Sequence, residues 1–198
     1  MRDPLDSVIA ALGRYSAASS DFDLNPDAVM PEGRKLRAAG VLVGLLPRED
    51  GVRVILTKRS SHLKHHPGQI AFPGGKVDPG DADVVAAALR EAREEIGLDP
   101  ANVEVLGSLP AHETVTAFHM TPVIARIHAP FRFVAEPGEV DEVFEVPLDH
   151  VTDPAQFSIQ SRRWRGTRRH YFTVPWGPYY IWGATARILR GLADRMQG

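Results

Sequence analysis

The sequence contains no cysteine. That absence excludes disulfides, thiolate metal ligands and a cysteine nucleophile together. It also lacks any run approaching the roughly 20 apolar residues that a membrane helix needs, so no membrane partner is expected. The opening Met1-Arg2-Asp3-Pro4 leads into charged, amphipathic sequence with no apolar stretch and cleavage site. This argues against a secretory signal and for a cytoplasmic location. No charge of one sign dominates: 23 Lys and Arg stand against 25 Asp and Glu. No global field therefore points to nucleic acid or an anionic surface, and any anion site has to be local. Internal repeats and low-complexity tracts are missing as well. With 198 residues, the chain suits one decorated domain better than two.

Helical and strand patterns are both present. Asp3 can cap a first helix, Pro4 suits its first turn, and Leu5, Val8, Ile9 and Leu12 share a stripe. Residues 16–31, rich in Asp, Ser, Asn and Pro, read as irregular. Val41, Val43 and Leu45 then alternate with other residues, and Val52 to Thr57 forms a second run. Glu49-Asp50-Gly51 lies between the two, which predicts a hairpin. Residues 58–79 read as loop. Strands are expected over 103–109 and 122–127, and a loop over 129–138. A basic hairpin is expected over 161–174, turning near Gly166. A closing amphipathic helix carries Ile181, Ile188, Leu192 and Met196.

The segment from Gly74 to Leu98 carries the chemistry. Asp81 or Asp83 can cap a helix from about 83 to 96, and Gly97 can end it. On that helix Glu91, Glu94 and Glu95 span an arc of roughly 100°. Val85, Leu89, Ala92 and Ile96 make the adjoining apolar arc. Clustered carboxylates repel unless a cation intervenes. A hard divalent ion such as Mg²⁺, which joins carboxylates to substrate phosphates, would serve. Arg90, one turn before Glu94, can orient a carboxylate. Gly74 and Gly75 allow backbone amides close to a ligand. A solvated helix laced by Arg90–Glu94 pairing fits the helix alone equally well.

The run Arg90-Glu91-Ala92-Arg93-Glu94-Glu95-Ile96-Gly97-Leu98 resembles the second half of the Nudix box at every specified position. The first half is stretched by one residue. Asp81 stands where the box's early Glu falls counting from Gly75, and Ala82 where it falls counting back from Arg90. Upstream, Ile55, Leu56, Thr57, Arg59, Ser60, Gly68, Phe72, Pro73, Gly74 and Gly75 resemble the added signature of the coenzyme A pyrophosphatase subfamily. Lys64 stands there for an Arg and Ile55 for a Leu; the stretched box with Asp in its gap is also similar to that subfamily. Ile181-Trp182-Gly183 with Thr185-Ala186 resembles its C-terminal helix.

The resemblance implies an α+β Nudix fold, an α/β/α sandwich with a mixed sheet and the acidic helix across one face. It implies a core over 37–150, preceded by a helical extension over 1–36 and followed by the basic hairpin and closing helix over 151–198. It implies Mg²⁺ or Mn²⁺ held by Glu91, Glu94 and Glu95, with Arg90 in support. Lys58, Arg59, Lys64, Gly74 and Gly75 are then expected to contact substrate. The implied reaction is hydrolysis of coenzyme A or a derivative to 3′,5′-ADP and 4′-phosphopantetheine. ADP-ribose, dinucleotides or nucleoside triphosphates are alternative substrates, and a catalytically inactive nucleotide sensor is a third reading. Glu139 is the preferred general base, with Glu142 the other candidate; both also read as surface charges. His65 and His66 read as solvated loop residues rather than ligands. Ser60 and Ser61 have no evident partner base. Arg162, Arg163, Arg165, Arg168 and Arg169, with Trp164 and Tyr171, read as an exposed hairpin or part of a homodimer surface rather than a nucleic-acid site.

Overall fold

The computed structural model describes residues 3–28, 33–164 and 166–198. Met1, Arg2, Pro31 and Arg165, which figure in the sequence reading, lie outside the described residues, as does the side chain of Trp164. The chain forms α1 (Asp6–Leu12), β1 (Ser19–Ser20), β2 (Arg37–Arg48), β3 (Gly51–Arg59), β4 (Ile70–Ala71) and β5 (Gly74–Lys76). There follow α2 (Val84–Ile96), β6 (Val103–Ser108), β7 (His112–Glu113), β8 (Phe118–Ile127) and β9 (Val140–Pro147). The last elements are α3 (Leu148–Val151), β10 (Ser158–Trp164), β11 (Thr167–Thr173) and α4 (Ala184–Gln197). Among the described residues, no helix is long and apolar enough to cross a membrane.

Nine strands make one mixed sheet in the order β1-β7-β8-β2-β3-β4. Within it β5 pairs with β2, β6 with β8 and β9 with β3. β2 runs parallel to β8, from Arg37 opposite Phe118 to Leu45 opposite Arg126, and antiparallel to β3. Strand alternation divides the core in two. Val41, Val43, Leu45, Val54 and Leu56 face α1 and α4, where Leu5, Val8, Leu189 and Leu192 are buried. Leu42, Leu46 and Ile55 face the other way, against Ala88, Ala92 and Ile96 of α2. The architecture is thus an α/β/α sandwich around a mixed sheet.

Helix α2 begins and ends for local reasons. The Asp83 carboxylate accepts the Val85 and Ala86 N–H groups at 2.9 and 2.8 Å. Gly97, at φ 73°, ends the helix in the left-handed region that favours glycine. Its inner face is small, with Ala87, Ala88 and Ala92 buried. Below it lies Gly40 of β2, where an added Cβ would stand 2.0 Å from the Val84 carbonyl oxygen and 3.1 Å from the Ala88 nitrogen. Helix and strand therefore meet backbone to backbone, and this fixes the height and rotation of α2 over the sheet.

Several expectations shift. Asp3 accepts the Leu5 N–H at 2.9 Å and pairs with Arg126, so Leu5 rather than Asp3 occupies the cap position of α1. The segment read as irregular contains β1, held by a buried His112 between Ser19 Oγ, 2.9 Å from Nδ1, and Asp21 Oδ1, 3.1 Å from Nε2. The segment 58–79 contains β4 and β5. Ile181 precedes α4 instead of belonging to it, because Gly183 at φ 65° interrupts any earlier helix. Its side chain is still fully buried in the core beneath α4.

Replacing Gly40 by Ala is expected to destabilise the fold by about 3 kcal/mol, since the obstruction is backbone that cannot rotate away. Gly80→Ala, where an added Cβ meets nothing within 4 Å, should stay within about 0.5 kcal/mol of the parent. Urea denaturation of the two variants measures the difference, and equal midpoints would contradict the close approach.

Candidate active site

Glu91 and Glu95 lie one turn apart on the edge of α2 that faces β5. Glu95 is only 3% exposed. Its Oε2 accepts the Gly74 N–H at 3.0 Å. Gly74 can point that amide at the helix because it sits at φ 152°, and a Cβ there would fall 2.4 Å from the Gly40 carbonyl oxygen. At Gly75 an added Cβ would lie 2.4 Å from Glu91 Oε1. The two glycines let the sheet edge close on the carboxylates.

A third carboxylate comes from the loop before β9. One oxygen each of Glu91, Glu95 and Glu139 lies within 4.8 Å of the others. The loop reaches this place by covering the end of α2. Phe131 and Phe133, in edge-to-face contact with centroids 5.0 Å apart, pack on the cluster beneath the helix. Val134 N–H donates to the Ile96 carbonyl at 3.1 Å and Glu136 N–H to that of Glu95 at 3.0 Å, which satisfies two helix-end acceptors. Ser60 N–H, at the end of β3, donates to the Glu139 carbonyl at 2.8 Å.

The three charges are poorly compensated. Burial pushes the Glu95 carboxyl up to about 7. The Gly74 amide opposes that rise, Glu91 and Glu139 add to it, and the charge of Arg59 offsets part of it. Burial also raises Glu91, against the hydrogen bond from Arg90. A set of convergent oxygen donors that runs from buried Glu95 to exposed Glu139, with excess negative charge, is the donor chemistry that Mg²⁺ and Mn²⁺ accept.

Arg90 holds the helix edge in place from below. Its Nε and Nη2 fork onto Asp81 Oδ1 and Oδ2 at 2.9 and 3.0 Å. Nη1 donates to Glu91 Oε1 and Glu94 Oε2, both at 3.0 Å, and Nη2 to the Lys76 carbonyl at 3.2 Å. The guanidinium beside Asp81 holds that carboxyl below its usual range. Asp81 also accepts the Asp78 N–H at 2.8 Å, closing the turn before α2. The stretched box thus keeps a carboxylate under Arg90.

The remaining residues singled out from the sequence fall into separate places. Glu94 is more than half exposed, bonds to Arg90 and stands outside the group of three convergent carboxylates. Arg59 follows a register shift in the β3–β9 pairing and lies within electrostatic reach of Glu95. Lys58 pairs in register with Glu142 on β9, and Lys64 lies exposed in the loop. The Glu142 carboxylate accepts the Tyr179 hydroxyl at 2.5 Å, while the Tyr179 ring stacks on Phe144. Of the two later glutamates, then, Glu139 joins the helix carboxylates and Glu142 does not. Ser60 is fully buried, its hydroxyl 3.5 Å from His62 Nδ1. On the basic hairpin, cross-strand register puts Arg162 with Arg169 and Arg163 with Arg168, on opposite faces. Asp81's fork and Tyr179's hold on Glu142 had no distinct signal in the sequence beyond Asp81's position in the box.

The NUDIX domain family matches residues 36–168. The chain is 43% identical over 157 residues to an uncharacterized Nudix hydrolase, NudL, of Enterobacter sp. (strain 638), an alignment covering 79% of this chain and 81% of that protein. It is 40% identical over 174 residues to the NudL protein of Escherichia coli (strain SMS-3-5 / SECEC), covering 88% and 90%. A MutT/nudix family protein from Enterococcus faecalis superposes with a TM-score of 0.51 at 18% identity, over 87% of this chain and 66% of that one. That likeness concerns the fold. The domain match takes in both the glycine turn and the acidic helix, and the two sequence relatives align over most of their length: the chain belongs to the Nudix hydrolase family.

Proposed function

We propose that the protein hydrolyses the diphosphate bond of coenzyme A or a derivative, releasing 3′,5′-ADP and 4′-phosphopantetheine. Nudix hydrolases act on diphosphate linkages of nucleotide derivatives and generally use divalent ions such as Mg²⁺ or Mn²⁺. The narrower substrate rests on one observation. The stretch from Ile55 to Gly75, which resembles the coenzyme A pyrophosphatase signature, carries Arg59 and Gly74 to the buried carboxylate of Glu95.

In this reading Glu91, Glu95 and Glu139 would hold the divalent ion, and exposed Glu94, tethered to Arg90, would add a further carboxylate. Such an ion, when bound, would supply positive charge against the diphosphate and would lower the pKa of a water beside it. Arg59, Lys58 and Lys64 attract the phosphates and offset charge that builds on them as the bridging P–O bond breaks. Glu139, the most exposed of the three convergent carboxylates, takes the proton of the attacking water. Arg90 acts through Glu91 and Glu94 as a positioning residue, itself set by Asp81. The products are two phosphate monoesters, and no covalent intermediate with the protein is required.

The raised Glu95 carboxyl gives a pH signature for the metal-free protein. Its folded-state value exceeds the ordinary one, so the native state binds the extra proton between about pH 4.5 and about pH 7. The stability this contributes is present at the acid end and is lost as pH rises through about 7. Thermal melts in chelator should therefore show Tm falling across that window. Added Mg²⁺ should raise Tm most at its upper end, and Glu95→Gln should remove both effects. A metal-induced shift that survives in Glu95→Gln would count against this ligand.

Turnover of a panel in water enriched in ¹⁸O, read by mass spectrometry, tests the substrate. Coenzyme A should be cleaved with ¹⁸O in one of its two products, and ADP-ribose and deoxynucleoside triphosphates should lag by at least about 10-fold in kcat/KM. Glu95→Gln should lose at least about 100-fold in kcat, and Glu94→Gln less. Efficient cleavage of ADP-ribose or a triphosphate with none of coenzyme A would overturn the assignment.

A further inference from the structure

One arginine of the basic hairpin, Arg162, lies within electrostatic reach of His66 in the loop that follows Arg59. Arg162 of β10 stacks over the Trp182 ring, with Cζ 4.2 Å from its centroid. Trp182 in turn meets Tyr171 of β11 edge-on, centroids 5.0 Å apart. This corner is rigid. Thr173 bridges to Trp182, Gly183 N–H donates to the Phe172 carbonyl at 3.1 Å, and Val174 N–H to that of Ile181 at 2.9 Å. It is also fastened to the loop that follows Arg59. Thr185 Oγ1 donates to the Ile70 carbonyl at 3.0 Å, and a Cβ on Gly183 would lie 3.6 Å from Gln69 Nε2. The loop closes on itself, with Arg59 N–H on the Gln69 carbonyl and Gly68 N–H on that of Arg59, both at 3.0 Å.

Arg59, His65 and Arg162 all lie within electrostatic reach of His66 there. His66, at φ 55°, hydrogen-bonds with Gln69 and lies within electrostatic reach of both Arg59 and Arg162. Desolvation, then the charge of Arg59, holds its imidazole below the ordinary range against the Gln69 hydrogen bond, and His65 and Arg162 add to the effect. Among the described residues, no carboxylate lies within 4.0 Å of the Arg59 or Arg162 guanidinium, whereas Arg48, Arg90, Arg126 and Arg187 each have one. Arg59 and Arg162 thus both flank His66, with Arg162 seated on the aromatic pair and Arg59 also within electrostatic reach of Glu95. A guanidinium held over an indole face by its carbon keeps N–H groups available for an acceptor.

We infer that Arg162, oriented by Trp182 and seconded by His66, binds a phosphate monoester on the ribose of the nucleotide half of the substrate. The inference rests on the coenzyme A reading, since that substrate carries a 3′-phosphate beyond its diphosphate. Arg162 is then a determinant of specificity for 3′-phosphorylated nucleotides, and the hairpin belongs to the binding surface.

Calorimetric binding of 3′,5′-ADP and of 5′-AMP to the full chain tests this without any turnover. The parent should bind 3′,5′-ADP roughly 10- to 100-fold more tightly than 5′-AMP, the range of one charge-assisted hydrogen-bonded pair. Arg162→Gln should erase that difference while leaving 5′-AMP affinity unchanged, and Arg162→Lys should keep part of it. Arg163→Gln, with the same charge change on the opposite strand face, should keep all of it. An undiminished preference in Arg162→Gln, an equal loss in Arg163→Gln, or no preference in the parent overturns the inference. Coenzyme A turnover, measured in parallel, judges the catalytic reading separately. Turnover without the 3′-phosphate preference sinks the inference alone, and the preference without turnover sinks the catalytic reading alone.

Discussion

Three carboxylates held within 4.8 Å of each other repel, and the one at the centre, Glu95, is nearly removed from water. That unfavourable arrangement is the constraint around which the middle of the chain is built. It persists because the backbone around it is over-determined. Gly40 lets α2 settle onto β2 with no side chain between them, and Gly74 and Gly75 bring β5 up to the helix edge. The loop from Phe131 to Glu139 is tied to the carbonyls of Glu95 and Ile96. None of these contacts can relax far without disturbing the sheet, so the carboxylates stay together even when their charges are unscreened. Preorganisation of this kind is what a metal site needs, since a bound ion then meets ligands already in place.

Arg90 illustrates how support and chemistry are separated. Its five N–H groups are nearly all committed to protein acceptors, two of them to Asp81 and two more bonds to Glu91 and Glu94. It screens the helix edge from below while leaving the opposite side of Glu91 and Glu95 to face Glu139. Arg59, at the end of β3, lies within electrostatic reach of Glu95 and has no carboxylate within 4.0 Å among the described residues. The two arginines thus serve different ends, and the difference follows from which acceptors each one finds.

Much of this was legible in the residues. The helix announces itself through Asp81 or Asp83 at its start, Gly97 at its end and the apolar arc of Val85, Leu89, Ala92 and Ile96; the structure selects Asp83 as the cap and buries the small Ala87 and Ala88 beside Ala92. The sequence puts Glu91, Glu94 and Glu95 on one arc and does not rank them by burial; the structure leaves Glu94 exposed and Glu95 buried. The arrival of Glu139 was equally hidden, since it depends on hydrogen bonds between a loop and a helix end some forty residues earlier in the chain. The His112–Asp21–Ser19 clasp lay in a stretch whose composition suggested no structure at all. Ile181 was misassigned to the last helix because its burial mimics a helical stripe, although Gly183 breaks the backbone between them. For Glu139 and the His112 clasp the missing information is a long-range contact, which local propensity does not carry; for Ile181 it is the backbone conformation at Gly183.

The central claim is that a divalent ion sits among Glu91, Glu95 and Glu139. Anomalous diffraction at the manganese edge, from crystals of the protein soaked in Mn²⁺, locates such an ion directly. The account predicts a peak within coordination distance of oxygens from all three side chains. A peak elsewhere on the surface, or none at saturating Mn²⁺ with the three carboxylates unmoved, would contradict it.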